Sequence, residues 1–409
     1  MPLNIVNTRW AFPALCFWAQ LLAAEPLSLR EAVARAMRSH PSLAAGTARV
    51  AASTALVDQA GLRPNPRLLI QTENWRSYGH FRVNEDAEHL AVLTQPFETG
   101  SKRLRRLELA RAGEKRAELE RALLARQIAG RVKLAYWNAA GANRLRDLWL
   151  ENARNFRQIV VYHQARVREG AMAESALLRV QLEEQRLAVA ANSAGLEAER
   201  ARIQLYREMG QPEFPPVEFT DPLDLGVPPS PADSEQALRD RIEVQLAHQG
   251  AEQARAALRS HKANAVPDVG VTLGYKRTAG FHTAVGGVEV ALPFFNRNQG
   301  NVAASVAETR AWESETAAVE ALVRAEVRAA QAEVDMRRRQ LTDLLRGSLD
   351  RATESSRIAL AAYQLGGADL LGLLDAERVR IELEVLYVRT LADYRQSLAS
   401  LELAMGVEP

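Results

Sequence analysis

Cysteine is almost absent from this sequence of 409 residues, and its one occurrence, Cys16, lies in an apolar N-terminal segment. That segment ends in small residues just before Glu25, which is the layout of a secretory signal peptide. We therefore predict a signal peptide over residues 1–24 and favour it over a buried N-terminal helix. Leu15 is a poor residue before a lipidated cysteine, so simple cleavage is favoured over lipidation of Cys16. The mature chain would then hold no cysteine, which excludes disulfides and thiolate metal sites.

Charge of one sign, further long apolar runs and catalytic motifs are also missing. The net charge is +2 with 25% charged residues, so nothing indicates a general attraction to nucleic acid. The basic stretch Lys102 to Arg116 could contact DNA, but the interleaved Glu108 and Glu114 favour a solvated periplasmic face. There is no G-x-S-x-G, no H-E-x-x-H and no phosphate-binding glycine loop, so we predict neither an enzyme nor a cofactor.

Proline is missing from two long windows, one from Phe97 to Gln211 and one from Phe294 to Glu408. Proline costs about 3 kcal/mol inside a helix, and both windows are rich in good helix formers. They predict long helices over residues 101–169 and 300–365. Seven prolines crowd instead between Pro212 and Pro231, which predicts a linker over residues 212–231.

The two halves of the chain match each other at an offset of about 196 residues. Gly170 corresponds to Gly366, Met209-Gly210 to Met405-Gly406, and Pro96-Phe97 to Pro293-Phe294. We therefore predict two structural repeats, residues 25–211 and 232–409, each with a helix, two strands, a long helix and a final helix. Coiled-coil packing is indicated by a row at seven-residue spacing: Ile128, Ala135, Ala142, Trp149, Phe156 and His163.

Alternating apolar residues predict four strands, near residues 66–75, 88–97, 268–277 and 284–294. Each run has about the length of a tilted strand that crosses a bilayer, although two hairpins of a soluble sheet would alternate in the same way. Four strands cannot close around a lumen. If they cross a membrane, several subunits must contribute to one barrel, which removes the open edges.

The sequence resembles the TolC-like family of outer-membrane efflux channels over almost the whole mature chain. His40 is one departure, because the family more often has asparagine before this proline. The motifs that carry the resemblance are "LSLREAVARAMRSHPSL" (27–43), "RPNPRL" (63–68), "QPFETGSKR" (95–103), "LPFFNRNQGN" (292–301) and "LGGADLLGLLDAERVR" (365–380).

This resemblance implies a mainly α fold with a β-barrel portion, assembled as a homotrimer. Each subunit would give four strands to a twelve-stranded barrel in outer-membrane lipid, continued by a periplasmic coiled-coil barrel of helices. The tunnel would dock on a periplasmic adaptor (membrane fusion) protein and an inner-membrane pump of the resistance-nodulation-division type. Barrel strands would bend into tunnel helices at Pro96, Phe97, Pro293 and Phe294, where proline ends a ladder without wasting a donor.

Within the family, "GSKR" and "FFNRNQGN" most resemble the CzcC-like branch that exports heavy-metal cations. The sequence shows no cluster of residues that is expected to bind a metal ion. A solvated external loop is the preferred explanation for the only dense group of possible ligands, which is His80, Glu85, Asp86, Glu88 and His89.

The family closes its periplasmic end with tip residues, and the resemblance places Tyr363, Gly366 and Asp375 at matching positions. Ala368 stands where some members have arginine, and Gly372 where they have an acidic residue, so the gate must differ. Nearby substitutes are Asp369, Arg168 and Glu174. Asp369 is better explained as a residue that caps or solubilises a helix turn, and for Asp375 that explanation and a gating role both stay open. Rings of acidic residues in a trimer would favour cations. Turn geometry and adaptor docking are the predicted roles of Gly170, Gly366 and Gly367.

One alternative shares the long helices and the secretion signal. It is a secreted periplasmic coiled-coil adaptor or spacer protein without a pore. Such a protein would not need two strand pairs of bilayer-crossing length at equivalent points of a duplication, so the channel is the favoured interpretation.

Overall fold

The computed structural model describes residues 24–75, 79–80, 82, 86–226 and 232–407. Almost all of the predicted signal peptide, including Cys16, lies outside these ranges, and so does Glu85 of the predicted external loop. Within the described ranges the chain is mainly helical and carries two small sheets.

The first half of the chain contains two short helices, a strand pair, one very long helix and a final helix. The long helix has no proline and runs for 67 residues, which corresponds to about 100 Å. The elements are β1 Glu25–Leu27, α1 Leu29–Ser39, α2 Pro41–Ala60, β2 Arg67–Glu73, β3 Glu88–Phe97, α3 Lys102–Arg168 and α4 Glu174–Glu208.

The second half has the same order of elements after a short strand in the proline-rich segment. A π-helical turn, Gln340–Leu345, separates α7 from α8. The elements are β4 Val217–Phe219, α5 Ser234–Asp240, α6 Ile242–Ala263, β5 Val269–Thr278, β6 Phe281–Val290, α7 Gln299–Arg339, α8 Arg346–Gln364 and α9 Leu370–Met405.

The two halves agree in backbone detail as well as in order. α3 follows Ser101 and α7 follows Asn298, and both of these residues adopt a left-handed conformation, with φ of 60° and 59°. The turns that end α3 and α8 both contain a glycine with positive φ, Gly170 at 70° and Gly366 at 78°. Glycine adopts this conformation without the Cβ clash that other residues meet, so both helices end where the chain turns back.

The helices form two tiers that α3 joins. In the tier next to the sheet, α3 packs against α2 and α6, and α6 packs against α7. In the tier far from the sheet, α3 packs between α4 and α9, and α9 packs against α8. In this tier α4 and α8 are therefore the outermost helices of the subunit.

The main core lies where the tiers meet, around the middle of α3. Tyr136 is fully buried and contacts Trp137 and Phe219 edge to face. Its hydroxyl donates to the carbonyl oxygen of Leu27 at 3.0 Å and lies 2.7 Å from Asp221 Oδ2. β1 and β4 pair in parallel beside it. The proline-rich segment is thus fastened to the start of the described chain.

Two sequence predictions need correction. The fourth strand, predicted at 284–294, lies at Phe281–Val290, because its partner β5 begins at Val269, opposite Val290, and offers no pairing beyond it. The second long helix, predicted at 300–365, is interrupted by the π-helical turn. The linker at 212–231 contains β4, so part of it is ordered in a sheet.

Candidate functional site

The four-stranded sheet is antiparallel in the order β2-β3-β5-β6, so the two hairpins lie side by side. Residues directly opposite in an antiparallel pair point to the same face, and the face alternates along each strand. The register therefore assigns each side chain to one of two faces. Rows such as Leu68, Leu93 and Leu273 lie on one face, while Thr94 and Thr272 lie on the other.

One face of the sheet, here called the apolar face, is exposed although its side chains are apolar. Ile70 is 73% exposed, Leu273 66% and Val288 71%. A soluble sheet buries such a face against other elements, whereas a sheet in a bilayer turns it to lipid. Its apolar members, from the helical end outward, are Phe97, Val269, Val290, Val271, Val288, Leu68, Leu93, Leu273, Ile70, Ala91, Tyr275 and Ala284, and Gln95 and Gly286 lie on the same face.

The other face, here called the polar face, carries charged and hydroxyl side chains. Lys276 Nζ lies 2.6 Å from Glu88 Oε2, and the Thr94 and Thr272 hydroxyls lie 2.9 Å apart. Arg67 on β2 and Glu289 on β6 belong to opposite edge strands but line one cavity of about 620 Å³. The sheet therefore curves around its polar face, as a barrel wall curves around a lumen.

Both edges of the sheet are open among the described residues. β2 pairs only with β3, and β6 pairs only with β5. The two edge strands run in opposite directions, so β6 of one copy can pair antiparallel with β2 of the next. An exposed unpaired edge is a site for adding another strand, so this sheet is suited to closure by further copies.

The predicted junction residues lie between the sheet and the long helices. Pro96 is in the last two residues of β3, opposite Gly270, at a level where β2 has not yet begun. Proline has no backbone N–H, and at this level no β2 residue is left without a hydrogen-bond donor. Pro293 and Phe294 lie between β6 and α7, and Phe97 and Phe294 are more than half exposed.

At the far end of the helices, Tyr363 contacts a residue that the sequence analysis did not select. The ring of His163 on α3 is fully buried and stacks on Tyr363 of α8, with 5.7 Å between centroids. His163 Nδ1 donates to the Ile159 carbonyl oxygen at 2.8 Å, so Nε2 accepts from the Tyr363 hydroxyl at 2.8 Å. Burial and the nearby Tyr162 raise the pKa of Tyr363. The contact joins the two repeats at their tips.

His163 could have been found from its place in the heptad row. It is the one ionisable side chain in a row of otherwise apolar residues, which predicts a partner on a facing helix. What the row does not give is the identity of that partner, two hundred positions away in the chain.

The other predicted tip residues divide into one cap and three exposed charges. Asp369 Oδ1 accepts from Gly372 N at 2.9 Å and so caps α9, as the simpler interpretation required. Asp375, Arg168 and Glu174 are exposed and make no hydrogen bond or ion pair within the described part of the subunit. They are not brought together with Tyr363 in one network.

A half-buried ionic cluster lies further from the tip, between α3, α8 and α9. Arg380 Nη2 lies 2.8 Å from Glu377 Oε2, and its Nη1 lies 2.5 Å from Glu384 Oε1. Asn152 Oδ1 accepts from Arg380 at 2.9 Å, and the Ser356 hydroxyl donates to Glu377 at 2.6 Å. Burial lowers the pKa of Arg380, but the bond to Glu377 and the charges of Glu377 and Glu384 outweigh it and raise the pKa. The cluster fixes α9 against its neighbours.

The possible ligands of the external loop do not converge in the described ranges. Glu88 pairs with Lys276, Asp86 accepts from the Arg82 backbone at 2.7 Å, and His89 contacts Thr72 at 3.2 Å. Across the part of the chain that the structure describes, no group of three His, Cys, Asp or Glu residues could hold a metal ion.

No helix in the described ranges has both the length and the apolar character that crossing a membrane requires.

This architecture was compared with known protein families and structures. The model of the family "Outer membrane efflux protein" matches residues 234–407. The cobalt-zinc-cadmium resistance protein CzcC of Cupriavidus metallidurans is 24% identical over 392 residues, which cover 94% of this chain and 91% of CzcC.

Solved structures share the fold over the same extent. The CmeC outer membrane channel of Campylobacter jejuni superposes with a TM-score of 0.79 at 15% identity, over 99% of this chain and 94% of CmeC. The outer membrane protein VceC of Vibrio cholerae gives 0.74 at 17% identity, over 92% and 96%. The matched family is described as an outer membrane efflux protein, which agrees with the prediction that the protein is not an enzyme. The second half of the chain thus matches the outer membrane efflux protein family, and nearly the whole chain is similar to CzcC and shares the fold of these channels.

Proposed function

We propose that the protein is the outer-membrane exit channel of a tripartite efflux system and that three copies form the channel. The sheet carries this proposal, because it exposes an apolar face, curves around a polar face and leaves two complementary edges open. Three copies of four strands would make a closed barrel of twelve. A coiled-coil adaptor or spacer has no use for such a sheet.

The helices support closure by further copies. α4, at one side of the subunit, has an exposed stripe at seven-residue spacing, and α7 and α8, at the other side, carry exposed apolar residues as well. Rows of this kind pack against a partner helix. The α4 stripe is Leu182, Val189, Leu196 and Ile203, and the opposite set is Leu322 and Met336 on α7, Leu344 in the π-helical turn and Ile358 on α8.

Oligomeric mass tests this assembly directly. The full-length protein is extracted from outer membranes in mild detergent, and its mass is measured by light scattering with correction for bound detergent. A trimer is expected. A monomer that is released with the periplasmic fraction without detergent would refute the channel and favour the soluble spacer.

For the cargo, we infer heavy-metal cations, with organic compounds as the alternative. The relative CzcC is named for cobalt, zinc and cadmium resistance. Asp375 and Glu174 are exposed carboxylates near the tip without partners within the described subunit. In a trimer each would form a ring of three, and such rings raise the local concentration of cations.

The cargo is tested in a strain that lacks its own copy of the channel gene. Cells with the wild-type protein should accumulate less cobalt, zinc and cadmium than cells without it, measured by elemental analysis. Asp375→Asn should lower the cation-to-anion permeability ratio of the reconstituted trimer, while Asp350→Asn, on an exposed part of α8 farther from the tip, serves as the charge-matched control. Unchanged metal content together with lower retention of organic dyes would favour organic cargo.

The tip is proposed as the gate and the adaptor-docking site. The His163–Tyr363 hydrogen bond joins α3 to α8, so an opening that moves these helices apart must break it. Leu365 is 89% exposed beside Gly366 and Gly367, and Gly170 is exposed in the equivalent turn. An apolar side chain presented on a tight turn suits contact with the adaptor. Leu365→Ser should weaken co-purification of the adaptor and leave the trimer intact.

A further inference from the structure

One row of the sheet breaks the pattern of the apolar face at its outer end. The register places Thr72, His89, Arg277 and His282 side by side on that face, beyond the row that contains Tyr275. Apart from Gln95, whose amide donates to the carbonyl oxygens of Pro64 and Pro96, the face is apolar over the preceding rows, so this row marks the place where it stops being suited to lipid tails. The row itself contains one arginine and two histidines.

Arg277 is the fixed charge of this row. Its guanidinium is always protonated, and it makes no ion pair or hydrogen bond with any described residue. Its neighbour Lys276 points to the polar face and is neutralised by Glu88. The two consecutive cations of β5 therefore differ, since one is paired on the polar face and the other is unpaired on the apolar face.

The position of the row along the strand matches the edge of a bilayer. From Val269 to Arg277 there are eight steps along β5, about 27 Å at 3.4 Å per residue, or roughly 20 Å of height at a tilt near 40°. The apolar band of an outer-membrane barrel is about 25 Å tall and ends in aromatic girdles. Tyr275 stands in the girdle position, and its hydroxyl bonds to the His282 ring.

We propose that this row binds the phosphate of a lipid headgroup in the outer leaflet, with Arg277 as the main donor and His89 and His282 beside it. The inference rests on the proposed function, because it requires the apolar face to lie in the outer membrane. An arginine presents several donors in a planar fork that suits phosphate oxygens. The tails of the same lipid would lie along Leu273, Ile70 and Val288, which are exposed below the row. One molecule would thus satisfy the charge and cover the apolar side chains.

The test uses the full-length trimer in detergent, with bis-phosphorylated lipid A as the probe and its mono-phosphorylated form as the reduced-charge probe. Binding is measured by native mass spectrometry at increasing lipid concentration. Arg277→Gln should weaken binding of the bis-phosphorylated lipid about tenfold, the scale of losing one hydrogen-bonded charge contact. Lys276→Gln removes the same charge from the adjacent residue on the polar face and should bind like the wild type.

Each outcome separates the lipid inference from the channel proposal. A wild-type protein that is not a trimer in detergent would refute the channel proposal itself. A trimer in which Arg277→Gln binds as tightly as the wild type, or in which Lys276→Gln weakens binding equally, would refute the headgroup site alone. Equal competition by millimolar inorganic phosphate would also refute it, because a free anion would then suffice and the apolar face would contribute nothing.

Discussion

Replacing Tyr363 with phenylalanine removes one hydroxyl from the tip and leaves the ring stack in place. Without the Tyr363 hydroxyl, Nε2 of the fully buried His163 ring has no hydrogen-bond donor. An unsatisfied buried acceptor costs about 1–3 kcal/mol, which corresponds to a shift of about 5- to 150-fold in the closed-to-open ratio of each subunit. We expect Tyr363→Phe to favour the open tip.

Single-channel conductance of the purified trimer in planar bilayers is the assay for this shift. The open probability should rise with Tyr363→Phe and stay at the wild-type value with Tyr162→Phe. Tyr162 is the matched control because it adjoins His163 in the chain but its hydroxyl has no hydrogen-bond partner among the described residues. Equal open probabilities for the wild type and Tyr363→Phe would refute the role of this contact in closure.

Three further predictions concern stability, measured as the free energy of unfolding or the melting temperature of the detergent-solubilised trimer. His40 Nδ1 accepts from Ser42 N at 3.1 Å, and burial together with the Arg131 charge lowers the pKa of His40. The unfolded chain then binds more protons below about pH 6.5, so stability should fall as the pH drops through this region; His40→Asn should abolish that dependence. Gly250→Ala places a Cβ 2.5 Å from the Trp312 ring and should cost about 1–3 kcal/mol, whereas Gly113→Ala, with its nearest neighbour at 3.5 Å, should not destabilise. Arg380→Met leaves the half-buried Glu377 and Glu384 without their cation and should cost about 1–3 kcal/mol, against less than about 1 kcal/mol for Arg357→Met in an exposed pair.

The sequence was most informative where one residue type determines the backbone. The missing prolines predicted continuous helix, and α3 is unbroken over Lys102–Arg168. The glycine pair Gly170 and Gly366 predicted turns, and both take positive φ. The alternation of apolar residues indicated strands, and the register then placed those residues on one exposed face.

The sequence was least informative where a contact depends on tertiary packing. The sequence favoured Asp369 as a helix cap, and the structure shows that cap, but the sequence did not decide between a capping and a gating role for Asp375, which is exposed and makes no cap. The pairing of His163 with Tyr363 joins residues in different repeats. The π-helical turn at Gln340–Leu345 contains no proline or glycine that would have predicted it.

That turn gives the two long struts of the subunit different mechanical properties. α3 is a continuous rod between the sheet and the tip, whereas the equivalent strut of the second repeat is jointed at Gln340–Leu345. π-helical turns are a recognised cause of helix kinks. Under load, bending should concentrate at this joint while α3 keeps the span fixed. In a trimer, three rigid α3 helices would alternate with three more flexible long helices of the second repeat. The periplasmic end could then widen without a change in the length of the channel between the two membranes.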